Sequence, residues 1–171
     1  MAISDRIAVM KKGRILQVGS PYELYMHPEQ IFVANFIGES NFLEGRVTEI
    51  EDEVTMVRLR GDLMVKAKRN SEAQRDDRVV LAVRPEAFEM VRGHVRLANS
   101  VNGVVERVRF EGTDIRYEVR LANDDSIIVV RPSLGGEWLK ETEKVTLGFP
   151  PEKSHMFLYP PKGLMNELEL E

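Results

Sequence analysis

Apolar residues fall into many short runs separated by turn-forming residues, and only the first forty positions carry a helical spacing. The runs at 42–50, 54–60, 63–67 and 79–83 are rich in Val, Leu and Met with partial alternation, which predicts four strands. Gly61-Asp62 provides the turn between the second and third. After Asn99 the pattern returns at 104–110, 115–121, 127–130, 145–149 and 156–159. Ahead of these, runs at 6–10 and 14–18 flank Lys11-Lys12-Gly13, a hairpin pattern. Ser20-Pro21-Tyr22-Glu23 then reads as a capping box with proline at the first helical position. Pro28 ends that helix and is expected to open a second one running to Ile37, closed by a left-handed Gly38. Phe32, Val33, Phe36 and Ile37 share one face of it, exposed unless they pack on the β region or on a neighbouring chain.

The two strand-rich stretches match each other. Gly45-Arg46-Val47-Thr48-Glu49-Ile50 aligns with Gly103-Val104-Val105-Glu106-Arg107-Val108, 54–59 with 116–121, and Asp77 through Glu86 with Glu143 through Glu152. The offset drifts from 58 to 66 residues, with the extra length in loops. This predicts two copies of a small β unit, about 42–90 and 100–159, although short Val-rich runs also align by chance. No helix is long enough for parallel crossovers. The fold class expected is mainly β, with small antiparallel barrels of the five-stranded oligonucleotide/oligosaccharide-binding (OB) type preceded by a hairpin and two short helices.

Composition narrows the chemistry. Zero cysteines among 171 residues exclude disulfides, thiolate metal sites and thiol nucleophiles, and three scattered histidines give no metal spacing. Charge is slightly acidic, 24 Lys+Arg against 28 Asp+Glu, and aromatics make up 7%, so a nucleic-acid partner is not expected. No apolar run approaches membrane-spanning length, and Met1 through Arg6 lack the layout of a signal peptide, so a cytoplasmic chain is expected.

No phosphate-binding G-x-x-x-x-G-K-[ST] loop, dinucleotide fingerprint or nucleophile elbow occurs. Asp124-Asp125 and Glu51-Asp52-Glu53 read as solvated turns, Arg84-Pro85-Glu86 as an Arg–Glu pair across a strand end, and the eight methionines as core filler. Ser133-Leu134-Gly135-Gly136-Glu137 reads as a Gly-Gly turn ahead of Trp138; it is only a near-anagram of the cassette signature L-S-G-G-Q, with the letter order wrong. No catalytic, cofactor-binding or metal-binding residue is assigned.

Ser4 through Ile15, with Gln17-Val18-Gly19-Ser20-Pro21-Tyr22-Glu23-Leu24-Tyr25, Pro28 and Phe32 through Gly38, resembles the end of the nucleotide-binding domain of ATP-binding cassette (ABC) importer ATPases. Glu39-Ser40-Asn41-Phe42-Leu43 is similar to the junction found in spermidine/putrescine-type importers. Val80 through Glu86 and Phe110 through Leu121 resemble the accessory TOBE domain, an OB-like module at the C-terminus of such ATPases. The resemblance implies that residues 1–40 are the tail of a nucleotide-binding domain and 41–171 a TOBE regulatory domain. The phosphate loop, signature, magnesium-binding acidic strand and switch histidine of the family lie upstream of Ser4, so ATP and magnesium would belong to the parent protein. It further implies a non-catalytic regulatory and dimerisation role. The partners would be a second copy of the chain, the parent nucleotide-binding domain and membrane permease subunits at the cytoplasmic face. Oxyanion or effector binding is the alternative, and nucleic-acid binding by an OB-type barrel a lesser one.

Overall fold

The computed structural model describes residues 4–134 and 136–169; Met1 through Ile3 of the leader reading and Gly135 of the Gly-Gly turn lie outside the described residues. Strands β1 (Ile7–Lys11) and β2 (Arg14–Gly19) form the expected hairpin. Helix α1 (Pro21–Met26) opens on the capping box, with Ser20 Oγ accepting from the Glu23 amide at 3.2 Å and Glu23 Oε2 accepting from the Ser20 amide at 2.8 Å. Helix α2 (Ile31–Ile37) begins later than the sequence suggests, because Gln30, not the residue before Pro28, is its N-cap. Gly38 is extended (φ −172°) rather than left-handed, since a side chain from the β region takes the place of a glycine cap. Val9, Leu24, Phe32, Val33 and Ile37 form a small core of this unit, so Phe32 and Ile37 are buried within it and only Phe36 stays largely exposed.

The β region contains β3 (Asn41–Ile50), β4 (Val54–Leu59), β5 (Met64–Lys68), β6 (Arg78–Val83), β7 (Glu89–Arg92), β8 (Val101–Phe110), β9 (Asp114–Leu121), β10 (Ser126–Pro132), β11 (Lys144–Gly148) and β12 (Ser154–Leu158), followed by helix α3 (Leu164–Leu168). These strands make two antiparallel five-stranded sheets, ordered β12-β6-β3-β4-β5 and β7-β11-β8-β9-β10. The two orders are the same path traced through each repeat, with one exchange. Strand β7 leaves the first repeat to pair with β11, and β12 leaves the second to pair with β6. The expected mainly β, OB-like fold of two similar five-stranded halves therefore forms, with each half completed by the fifth strand of the other.

Repeat-related residues do the same work. A Cβ on Gly45 would lie 2.5 Å from Val57 Cγ1 and 2.9 Å from the Arg58 carbonyl oxygen; on Gly103 it would lie 2.8 Å from Val119 Cγ1 and 2.9 Å from that of Arg120. Both glycines allow a neighbouring strand to approach where a side chain would block it. Bulges follow at the same place, between Val47 and Glu49 and between Val105 and Arg107. The amides of Val47 and Val105 then donate to the carbonyls of Asp77 and Glu143, each at 3.0 Å.

Alternation buries one face of each strand, as in β9, where Ile115, Tyr117, Val119 and Leu121 all point inward. The two sheets share one apolar core. Of the methionines, Met90 and Met156 enter it, whereas Met10, Met64 and Met165 are exposed, so core filling does not account for the set. Strand β6 is buried on both faces: Val79, Leu81 and Val83 face the shared core, and Val80 packs outward against Ile31 and Leu164. The helical start of the chain is thus seated on the back of the first sheet.

Candidate functional site

Gly38 through Ser40 join α2 to β3 and, with Asn41 at the start of β3, hold three parts of the molecule: the strand end at Arg84, β9 and β10. Gly38 and its neighbours meet Arg84, which follows β6 and is only 6% exposed. Its Nη1 lies within hydrogen-bond reach of the carbonyls of Ala34 (2.7 Å), Gly38 and Glu39 (3.0 Å) and of Ser40 Oγ (2.7 Å). A helix leaves its last carbonyls without partners and carries partial negative charge there. Arg84 supplies both the donors and the positive charge, which is why α2 ends on Gly38 without a left-handed turn. The guanidinium also lies over the Tyr25 ring at 4.4 Å.

Glu86 does not pair with Arg84 as the sequence suggests. It accepts a hydrogen bond from the Tyr25 hydroxyl instead. Burial, reinforced by that carboxylate, pushes the Tyr25 phenol up to about 12. Burial also lowers the Arg84 pKa from its ordinary value. Glu39 turns the other way and is gripped by both Arg116 guanidinium nitrogens on β9; hydrogen bonding to Arg116 holds its carboxyl below the usual range.

Asn41 completes the junction. Its side chain acts as a short piece of strand against the edge of β10: Oδ1 accepts from the Ile128 amide at 2.7 Å and Nδ2 donates to the Ile128 carbonyl at 2.8 Å. The same arrangement recurs at Asn99, whose Oδ1 accepts from the Lys66 amide (2.6 Å) and whose Nδ2 donates to the carbonyls of Lys66 (2.7 Å) and Phe149 (3.0 Å). Each asparagine of one repeat thus clasps the edge strand of the other. Asn41 and Asn99 are separated by the same 58 positions as Gly45 and Gly103, a signal available in the sequence but carried only as far as the glycines.

This constellation ties α2, the end of β6, β9 and β10 to one short stretch of chain. Arg84 is directed at backbone carbonyls and at Ser40 Oγ. Among the described residues no group of three His, Asp or Glu side chains could hold a metal ion. Asp125, read as part of a solvated turn, pairs with Arg60 across the repeats. His155 is kept neutral, its pKa lowered to about 4 by burial and then by Arg84, Lys68 and His27.

Comparison with known proteins agrees with this architecture. Residues 81–157 match the TOBE domain family. The spermidine/putrescine import ATP-binding protein PotA of Thermotoga maritima is 39% identical over 124 residues, covering 71% of this chain and 34% of that protein. The corresponding protein PotA 1 of Pseudomonas aeruginosa is 37% identical over 138 residues, covering 79% and 36%. The chain thus spans about a third of the length of the curated relatives it matches. Among solved structures, the cytoplasmic molybdate-binding protein ModG, in a crystal form with molybdate bound, superposes with a TM-score of 0.61 at 17% identity. The match covers 69% of this chain and 95% of that one, and it shows a shared fold. The chain carries a TOBE domain, a non-catalytic module, and is related to the C-terminal part of ABC importer ATP-binding proteins of the spermidine/putrescine type.

Proposed function

We propose that this chain is the regulatory and dimerisation end of an importer ATP-binding subunit, with residues 1–40 the tail of the nucleotide-binding domain and 41–171 the regulatory module. The observation that carries the reading is the junction: Gly38 through Asn41 is bonded at once to α2, to the strand end at Arg84, to β9 and to β10. Such a linker transmits a displacement of the N-terminal unit to both sheets instead of absorbing it. ATP and magnesium would be bound upstream, polyamine-type solutes would be carried by the parent transporter, and the assembly would lie at the cytoplasmic face of the membrane. Two such modules in contact would keep a second ATP-binding subunit at high effective concentration while the nucleotide sites are open.

The test is a chimera in which this chain replaces the matched C-terminal third of the Thermotoga maritima relative. ATP hydrolysis and polyamine uptake should both persist. Arg84→Ala in the chimera should uncouple them, leaving hydrolysis and reducing uptake. Equal uptake with and without the substitution would contradict the coupling role. Sedimentation should show self-association at high micromolar concentration; a pure monomer would remove dimerisation from the proposal. The fold shared with a molybdate-binding protein favours oxyanion binding as the second reading. Calorimetry against molybdate and sulfate separates it from the first, and no heat with either would set it aside.

A further inference from the structure

The repeats differ most where each sheet brings its two edges together. In the first, β5 and β12 are stitched: the Lys68 amide donates to Ser154 Oγ at 3.1 Å, and Asn70 Nδ2 donates to the Met156 carbonyl at 2.8 Å. In the second, no hydrogen bond joins β7 to β10 among the described residues, and Phe88 stands where the first repeat's closure has Ser154. The longer loop after β10 spans the gap and leaves a cavity of about 370 Å³, open on one side.

Met90, Ile115 and Tyr117 form its buried floor, and Leu139 and Trp138 line it. Trp138 is fixed before any ligand arrives, because its Nε1 donates to the Ser133 carbonyl at 3.1 Å and its ring stacks on Phe110 at 5.3 Å. A pre-ordered wall lowers the entropy cost of binding. The charges around the cavity do not balance. Arg92 is neutralised by Glu137 at 2.9 Å and Glu143 at 3.1 Å, whereas Arg131 forms no ion pair among the described residues. Its other flank borders a groove containing Glu86, Glu89 and Asp114, and none of these pairs with it.

We propose that this cavity binds a small organic anion with a flat apolar body. The carboxylate meets Arg131, and the body lies on Met90 and Tyr117 beside Trp138. The volume falls within the range of roughly 300–1,000 Å³ common for small-molecule sites.

Trp138 is the single tryptophan of the chain, so its emission reports on this cavity alone. Titration of the full chain with phenylacetate should give a saturable change with Kd near or below about 1 mM, with acetate and phenethylamine each at least about tenfold weaker. Arg131→Gln should weaken phenylacetate by about tenfold or more, while Arg131→Lys, which keeps the charge, stays within about threefold of the parent. The Lys variant guards against a folding artefact. No saturable response to phenylacetate up to about 10 mM, phenethylamine binding as well as phenylacetate, or undiminished binding in a folded Arg131→Gln variant would each overturn the proposal.

Discussion

The two repeats follow one strand path and are used differently. Val80 of the first and Thr146 of the second occupy the same place on the outer face of their sheets, and both are buried. Val80 is covered by Ile31 and Leu164 from α2 and α3. Thr146 is covered by the segment that links the repeats, accepting from the Val95 amide at 3.2 Å and donating to the Gly93 carbonyl at 2.6 Å. Arg84 of the first repeat corresponds to Pro150 of the second, and only the arginine has a helix end to hold. Positions shared by the repeats build the sheet crossing: Gly45 with Gly103, and Asn41 with Asn99. Positions that differ mark where each half meets something else, helices in one case and the segment linking the repeats in the other.

The largest effect is expected from breaking that difference at Arg84. Arg84→Ala removes charge-assisted bonds to the end of α2 and leaves buried carbonyls unpaired, costing about 3 kcal/mol in denaturant unfolding. Pro150→Ala, at the related position, should stay within about 0.5 kcal/mol. The clasps come next and should agree with each other. Asn41→Ala and Asn99→Ala each strip an edge-strand amide and carbonyl of their partners and should cost about 2 kcal/mol apiece. A cost confined to one of them would show that the clasps are equivalent in geometry but not in energy.

A subtler difference is read by pH. His155 on β12 is held neutral to about 4, whereas its repeat counterpart is the exposed Glu89 on β7. Between the ordinary histidine pKa of 6.5 and about 4 the unfolded chain takes up a proton that the folded chain refuses. The contribution of His155 is therefore whole above 6.5 and is lost progressively as pH falls toward 4. Thermal midpoints of His155→Gln should decline less over that window than those of the parent chain. The smallest effect is expected at Leu134, which is 89% exposed: Leu134→Ser should change stability by no more than about 0.5 kcal/mol.

The strand positions, the capping box and the repeat register from Gly45 to Gly103 were legible because each is written in local patterning. The exchange of β7 and β12 was not. Glu89-Met90-Val91-Arg92 is too short to show a period, and alternation reports which face of a strand is buried, not which sheet receives it. The role of Arg84 was hidden for a related reason. Glu86 is its neighbour in sequence, but its acceptors lie more than forty residues upstream, at a helix end whose missing cap could be seen only in space. The start of α2 at Ile31 was misplaced because Pro28 is permitted at a helix start without being bound to one.

The central claim is that exchanged strands and reciprocal clasps make the two halves one cooperative unit. Native-state hydrogen exchange on the Asn99→Ala chain tests it most directly. Asn99 belongs to the second repeat but holds Lys66 of the first. Protected amides of β6 and β11 should lose protection by the same free energy, because neither sheet can open while the other stays intact. Unchanged protection in one sheet with loss in the other would mean that the halves unfold separately, contradicting the interlocked fold.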